Sequence, residues 1–203
     1  MSAAQESGEP DMPDAELPQP RQPRIRRAMS GRMRSVLSWA WVLICAVLLA
    51  MVMRTFIIAA FYIPSASMSP ALEIGDRLLV SKLSYRIGEP QAGDVVVFST
   101  PASLRPSRTA ELIKRVVAVG GETVEAHAGQ LLVDGNPASE DYLPDGVRTS
   151  DFGPVLVPDG HVFVMGDNRE ASQDSRVFGT VPVSEIVGRA IARFWPPSRL
   201  GGL

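Results

Sequence analysis

Hydroxyl groups crowd one short stretch of the chain, where Ser65, Ser67 and Ser69 alternate between Pro64 and Pro70 in IPSASMSP. A serine becomes a nucleophile near neutral pH only with a base beside it, and histidine is the usual one. The chain has two histidines. His127 sits in the polar, turn-like EAHAGQ and His161 opens a strand after a turn, places that suit solvated side chains. Two lysines remain. Lys82, in SKLSYR, reads as a solvated charge, whereas Lys114 lies in the apolar, strand-like LIKRVVAV. In a water-poor site beside the cation of Arg115, desolvation and like charge would both lower its pKa. A move from about 10.4 toward 8 disfavours the ammonium by roughly 3 kcal/mol, within reach of a folded domain. Such an amine could serve as a general base. The residues alone leave two plainer readings open: a lysine snorkelling from a strand, and serines that form a turn or cap a helix.

Two more clusters carry charge, GDVVVF from Gly93 to Phe98 and GDNREASQDSR from Gly166 to Arg176. Asp, Asn and Asp recur in the second as in a metal loop, but Arg169 and Arg176 would oppose a divalent cation, so an ion-paired loop is expected. The single cysteine, Cys45, excludes an intramolecular disulfide and a Cys-rich zinc site. No metal and no cofactor is expected. From Arg54 onward 14 basic residues face 17 acidic ones, a near-balance that argues against a nucleic-acid-binding domain.

The elements that must position these groups begin with an apolar run. Val36 to Met53 reads VLSWAWVLICAVLLAMVM, without a charge. As a helix it would reach about 27 Å, close to the thickness of a bilayer core. A cleaved signal peptide has a shorter apolar region and a small-residue cleavage site, neither of which fits MVMRTF, so a retained signal anchor over residues 36–60 is expected. Six arginines and no acid lie in residues 21–35. They hold that side in the cytoplasm and send the chain beyond residue 60 across the plasma membrane. Residues 1–35 hold five prolines and no aromatic residue and read as a disordered tail. Beyond residue 70, strands are predicted at 77–81, 94–99, 112–119, 123–126, 130–133, 161–165 and 186–195, separated by turn residues. Residues 101–110 and 136–157 read as loops, the second long enough to cover or flank a site. The fold class expected for 61–203 is mainly β, an antiparallel, barrel-like exported domain behind one transmembrane helix.

Taken in order behind one anchor, SASMSP, GDVVVF, IKRVVAVGGE and GDNREASQDSR resemble the motifs of the bacterial type I signal peptidases. These are membrane-bound Ser/Lys endopeptidases that remove signal peptides from exported preproteins. The resemblance runs from the anchor to about Arg193 and implies roles residue by residue. Ser67 matches the nucleophile and Lys114 the general base. Ser65 matches the hydroxyl that completes an oxyanion hole with the Ser67 N–H, and Ser172 a serine that orients the lysine amine. Asp174 and Arg176 match a structural ion pair; Asp167 and Arg115 match other charged framework positions. Phe61, Ile63, Pro64, Met68, Leu72, Leu78 and Ile113 match positions lining two shallow pockets for small side chains before the cut. The implied partners are preprotein signal peptides and the lipid bilayer, with no nucleic acid and no metal. Ala71, Ala118, Gly120, Glu122, Glu170 and Ala171 depart from the family pattern without removing a reacting group. A self-cleaving Ser/Lys protease would carry a DNA-binding module, and a silent, anchored β-domain acting as an adaptor would lack Ser67 or Lys114.

Overall fold

The structure, a computed structural model, describes residues 31–104 and 110–203. The tail expected to be disordered falls largely outside them; its last residues, 31–35, belong to a helix. The described residues form two units, through Leu43 and from Ile44 to Leu203. The first is the beginning of helix α1 (Gly31–Val52), which continues into a π-helical turn, Met53–Ile57. Its apolar side chains are exposed, Trp39 and Trp41 among them, and residues 35–57 are long and apolar enough to cross a membrane. Such a helix satisfies its own backbone polar groups except at its ends. At the C-terminal end, carbonyls freed by the turn are taken by Lys82, whose N–H reaches Ile57 O (2.9 Å) and whose Nζ reaches Thr55 O (3.2 Å). Lys82 is therefore tied down rather than freely solvated.

Helical structure stops sooner than expected. Ile58–Tyr62 is strand β1, so residues 58–60 are strand rather than a continuation of the helix. Composition could not separate them, because IAAFY is as apolar as the helix before it. The other strands are β2 (Arg77–Ser81), β3 (Val95–Ser99), β4 (Glu111–Val119), β5 (Thr123–His127), β6 (Gln130–Val133) and β7 (Asn136–Pro137). They are followed by β8 (Phe152–Leu156), β9 (His161–Met165), β10 (Val181–Pro182), β11 (Ile186–Trp195) and β12 (Gly201–Gly202). Two single-turn helices intervene, α2 (Ser84–Ile87) and α3 (Ser175–Phe178). All seven predicted strands form, with ends shifted by a residue or so. The supposed loop 136–157 holds β7 and β8, which Pro137, Gly153 and Pro154 had disguised.

Every strand pairing is antiparallel, and the fold is mainly β. One sheet runs β1-β2-β11-β3-β4-β9-β10 with β12 added to β11, and a smaller one runs β7-β6-β5-β8. Among the strand edges left open in the large sheet, two border the serine-rich segment. The ladder between β4 and β9 begins only at Arg115↔Met165, so Glu111–Lys114 pair with β3 alone. Strand β1 likewise pairs only with β2.

The apolar residues segregate as the pleat requires. Ile63, Met68, Leu72, Leu78, Val80, Val95, Val97 and Ala190 form a cluster beneath the serine-rich segment. Val117, Ala118 and Met165 of the large sheet meet Val124, Ala126 and Leu131 of the small one around Phe163, whose ring stacks on Phe152 with centroids 5.7 Å apart. Phe163 thus fastens one sheet to the other. Phe163→Ala should destabilise the protein by about 3–5 kcal/mol, read as a lower denaturant midpoint.

Candidate active site

Lys114 is placed by a rigid element. It sits in β4 opposite Val96 of β3, is 3% exposed, and extends its amine toward the serine-rich segment. Ser67 is placed by a loop. Between β1 and β2 the chain closes on itself through Ile63 N–H to Asp76 O and Gly75 N–H to Ile63 O, both 3.0 Å. Met68 and Leu72 anchor the loop from inside, each fully buried, and Leu72 N–H donates to Met68 O at 2.8 Å. The result brings Lys114 Nζ to 2.7 Å from Ser67 Oγ, while the amine donates to Ile113 O at 3.0 Å. Residues 47 positions apart meet in a direct, buried hydrogen bond.

Burial brings the Lys114 pKa down from 10.5 to about 8, while the charges of Asp174 and Asp167 pull it up. Desolvation wins. Arg115 does not supply the cationic push expected of it: neighbours along a strand point to opposite faces, and its guanidinium is engaged elsewhere. Arg115 Nε and Nη2 donate to Asp167 Oδ1 (2.9 Å) and Oδ2 (2.7 Å), and Nη1 donates to Gly93 O (2.8 Å). The guanidinium also covers the Tyr142 ring, 4.1 Å from its centroid. Arg176 grips Asp174 in the same two-point manner, with both contacts at 2.8 Å. Asp174 caps α3, and Arg176 lies in the helix's only turn. Burial pushes the Asp174 carboxyl up, but the hydrogen bonds from Arg176 and from the Gly166 N–H hold it below the usual range.

The last motif braces the serine loop. Asn168 N–H donates to Ser67 O (3.1 Å), and its side-chain amide donates to Ala66 O (3.2 Å). Gly166 makes this approach possible, since a Cβ there would stand 2.5 Å from Ser67 O and 2.3 Å from Ser172 Oγ. Ser172 therefore lies at the site. Its buried hydroxyl lies close enough to Asp174 to help hold that carboxyl below the usual range, while Ile113 O, not Ser172, accepts from the Lys114 amine. Ser65 Oγ lies 3.4 Å from Ser67 Oγ, near but too long for a good bond between hydroxyls. The long segment after β7 contributes as well. Glu140 and Thr149 bind the buried Arg169, which donates from Nε to Gly166 O at 3.1 Å, and Ser150 accepts from Arg176 at 3.2 Å.

A cavity of about 270 Å³ opens over the serine and the lysine. Phe61, Ile63, Pro64 and Ile113 line it as expected, with Ser65. Tyr62, Val97, Glu111 and Leu112 line it too, without having been singled out. Met68, Leu72 and Leu78 do not line it; they are wholly buried in the cluster below, where they support its floor. Sequence position gave no sign of this difference, because core and lining residues alternate along the same short segments. Asn168 and Gly166 were visible in their motif, but only the chain's return to the serine loop reveals what they touch, and Glu111, outside every motif, is found only from its exposed strand edge. No group of three or more histidine, cysteine, aspartate or glutamate side chains is gathered for a metal among the described residues.

Two substitutions probe this frame. Gly166→Ala should displace Ser67 and Ser172 and cut turnover at least ten-fold, measured in a peptide-cleavage assay. Asp167→Ala should leave Arg115 buried and uncompensated at a cost of about 3–5 kcal/mol, read by denaturant unfolding.

Comparison with known proteins agrees with the geometry. Residues 36–195 match the family model described as signal peptidase, peptidase S26. The chain is 45% identical over 164 residues to signal peptidase I of Leptolyngbya laminosa, covering 78% of this chain and 79% of that one. It is 39% identical over 211 residues to signal peptidase I of Mycobacterium tuberculosis, covering 78% and 72%. A crystal structure of a signal peptidase I from Enterococcus faecalis V583 aligns with a TM-score of 0.43 at 32% identity, covering 50% of this chain and 97% of that one. The chain belongs to the signal peptidase family, peptidase S26, and is a peptidase that acts on the signal peptides of preproteins.

Proposed function

We propose that the protein is a membrane-anchored serine endopeptidase in which Ser67 is the nucleophile and Lys114 the general base. The observation that carries this is the 2.7 Å contact between Lys114 Nζ and Ser67 Oγ, buried at the floor of the cavity. A neutral amine that donates one hydrogen to Ile113 O can turn its lone pair toward the Ser67 hydroxyl. As Oγ attacks the scissile carbonyl carbon, its proton passes to Lys114 Nζ. The tetrahedral oxyanion receives hydrogen bonds from the Ser67 N–H and the Ser65 hydroxyl, and donors fixed before charge develops need no reorganisation. When the C–N bond breaks, the ammonium returns that proton to the leaving amine, and an acyl-enzyme on Ser67 remains. Water then attacks the ester with Lys114 again as base, releasing the acid and restoring the hydroxyl. Ser172 is assigned to steadying the amine while it carries the proton, a role supported by its place beside Gly166, where the serine loop also approaches.

The free edges of β1 and of Glu111–Lys114 border the cavity, so an extended signal-peptide terminus can add as a strand and present alternate side chains to it. The apolar lining and small volume favour short side chains such as alanine. The apolar helix, with arginines crowded before it, supports an anchor whose N-terminal side is cytoplasmic and whose β-domain lies outside. Anchoring enzyme and signal peptide in one bilayer would raise their effective concentration.

Ser67→Ala and Lys114→Met should both fold and lose about 10³-fold or more of cleavage on a preprotein, whereas Lys82→Met should keep activity. A preprotein with leucine just before the cut should be cleaved at least ten-fold more slowly than one with alanine; equal rates would refute the small-pocket assignment. Because the amine must be neutral, kcat/KM should rise with pH through about 8. The competent fraction grows from roughly one-tenth at pH 7 to nine-tenths at pH 9.

A further inference from the structure

The serine loop has a second brace, on the side away from Asn168. After β11 the chain turns back through Pro197–Arg199, and β12 pairs with β11 at Ala192↔Gly202 and Arg193↔Gly201. Leu203 packs against the cluster that contains Ile63, Met68 and Leu72. Arg199 from this returning segment and Arg193 from β11 both reach into the loop. Arg199 Nη2 donates to Pro70 O at 3.1 Å, while Nη1 pairs with Glu73 (2.8 Å) and Asp76 (3.3 Å). Arg193 Nη1 donates to Ala71 O at 2.6 Å and stands 3.5 Å from Asp76, and Arg193 Nε also bonds Arg199 O. Asp76 is buried at the loop's base, where it also accepts the Glu73 N–H at 2.9 Å.

We propose that Arg199, supported by Arg193 and Leu203, is a positioning residue that latches the loop carrying Ser67. The proposal rests on the assignment of Ser67 and Lys114 as the reacting pair. Lys114 is held in a strand ladder on β3, so the distance between the two reacting groups depends on where the loop sits. The loop has no ladder of its own past its base. A planar guanidinium that binds carbonyl and carboxylate together fixes position and orientation better than a single contact. A displacement of about 1 Å is enough to lower a rate by about 10²-fold.

The test uses the full chain in detergent micelles, with a preprotein assay and hydrogen exchange over residues 66–76. For Arg199→Ala, kcat should fall about ten-fold with KM changed less than two-fold. Exchange in the loop should accelerate about ten-fold while β5, β6 and β8 stay as they were. Arg199→Lys, which keeps the charge without the fork, should recover kcat to within about three-fold of the parent. Val155→Ala in the small sheet serves as the control: it should lower Tm and leave kcat unchanged. If Arg199→Ala cannot be purified, Glu73→Gln gives the same readout with about a two-fold loss of kcat and faster loop exchange. Unaltered loop exchange would overturn the latch, as would a kcat loss equal to that of the control at matched Tm. Ser67→Ala in the same assay separates the two ideas. Cleavage by that variant would sink the dyad and leave the exchange result to decide the latch. An inactive Ser67→Ala beside a fully active Arg199→Ala would sink the latch alone.

Discussion

The proposed chemistry depends on one condition, a lysine amine whose charge is lost near pH 8, and the surrounding structure sets the balance that decides it. Withdrawal from water lowers the Lys114 pKa, and two buried carboxylates, Asp174 and Asp167, raise it. Left unpaired, those carboxylates would favour the ammonium strongly in a medium of low polarity. Each is instead held at two points by an arginine, Arg176 and Arg115, whose own charge offsets its field. The framework charges thus have two consequences at once. They tie the last motif to β4 and to α3, and they let desolvation decide the state of the amine.

The two groups proposed to react are carried on supports of different kinds. Lys114 belongs to a β-ladder, where strand pairing and the Val96 register leave little freedom. Ser67 belongs to an irregular loop, which must expose a hydroxyl and leave room for a substrate, and so cannot be paired as a strand. Its position comes from contacts made by distant parts of the chain: Asn168 on one side, Arg193 and Arg199 on another, Met68 and Leu72 from below. The small sheet joins this arrangement indirectly, through the segment whose Glu140, Thr149 and Ser150 hold Arg169 and Arg176. A binding surface arises from the same economy, since the strand edges left unpaired beside the cavity are those an extended peptide could complete.

Much of this was legible in the chain itself. The apolar helix, the seven main strands and the antiparallel, mainly β architecture follow from local patterns, because period, turn residues and hydropathy act within a few positions. The lysine was set apart from Lys82 by its apolar neighbours, whereas the choice of Ser67 among three alternating serines came only from the family resemblance. Short strands, the strand hidden in IAAFY and the strand broken by Gly153 and Pro154 were not legible, because nothing local marks them. The cationic push expected from Arg115 failed for a related reason. Adjacency in sequence places a charge near in number but on the opposite face of a strand.

By itself, then, the amino-acid sequence determined which groups were available for chemistry and the elements that carry them. Tertiary structure decided which of them meet. The contact between positions 67 and 114, the pairing of Arg115 with Asp167, the burial of Met68, Leu72 and Leu78 below the cavity and the return of Arg199 to the serine loop all join residues far apart in the chain. Hydrogen bonding and burial act through space, so no spacing of residues along the chain could have specified them.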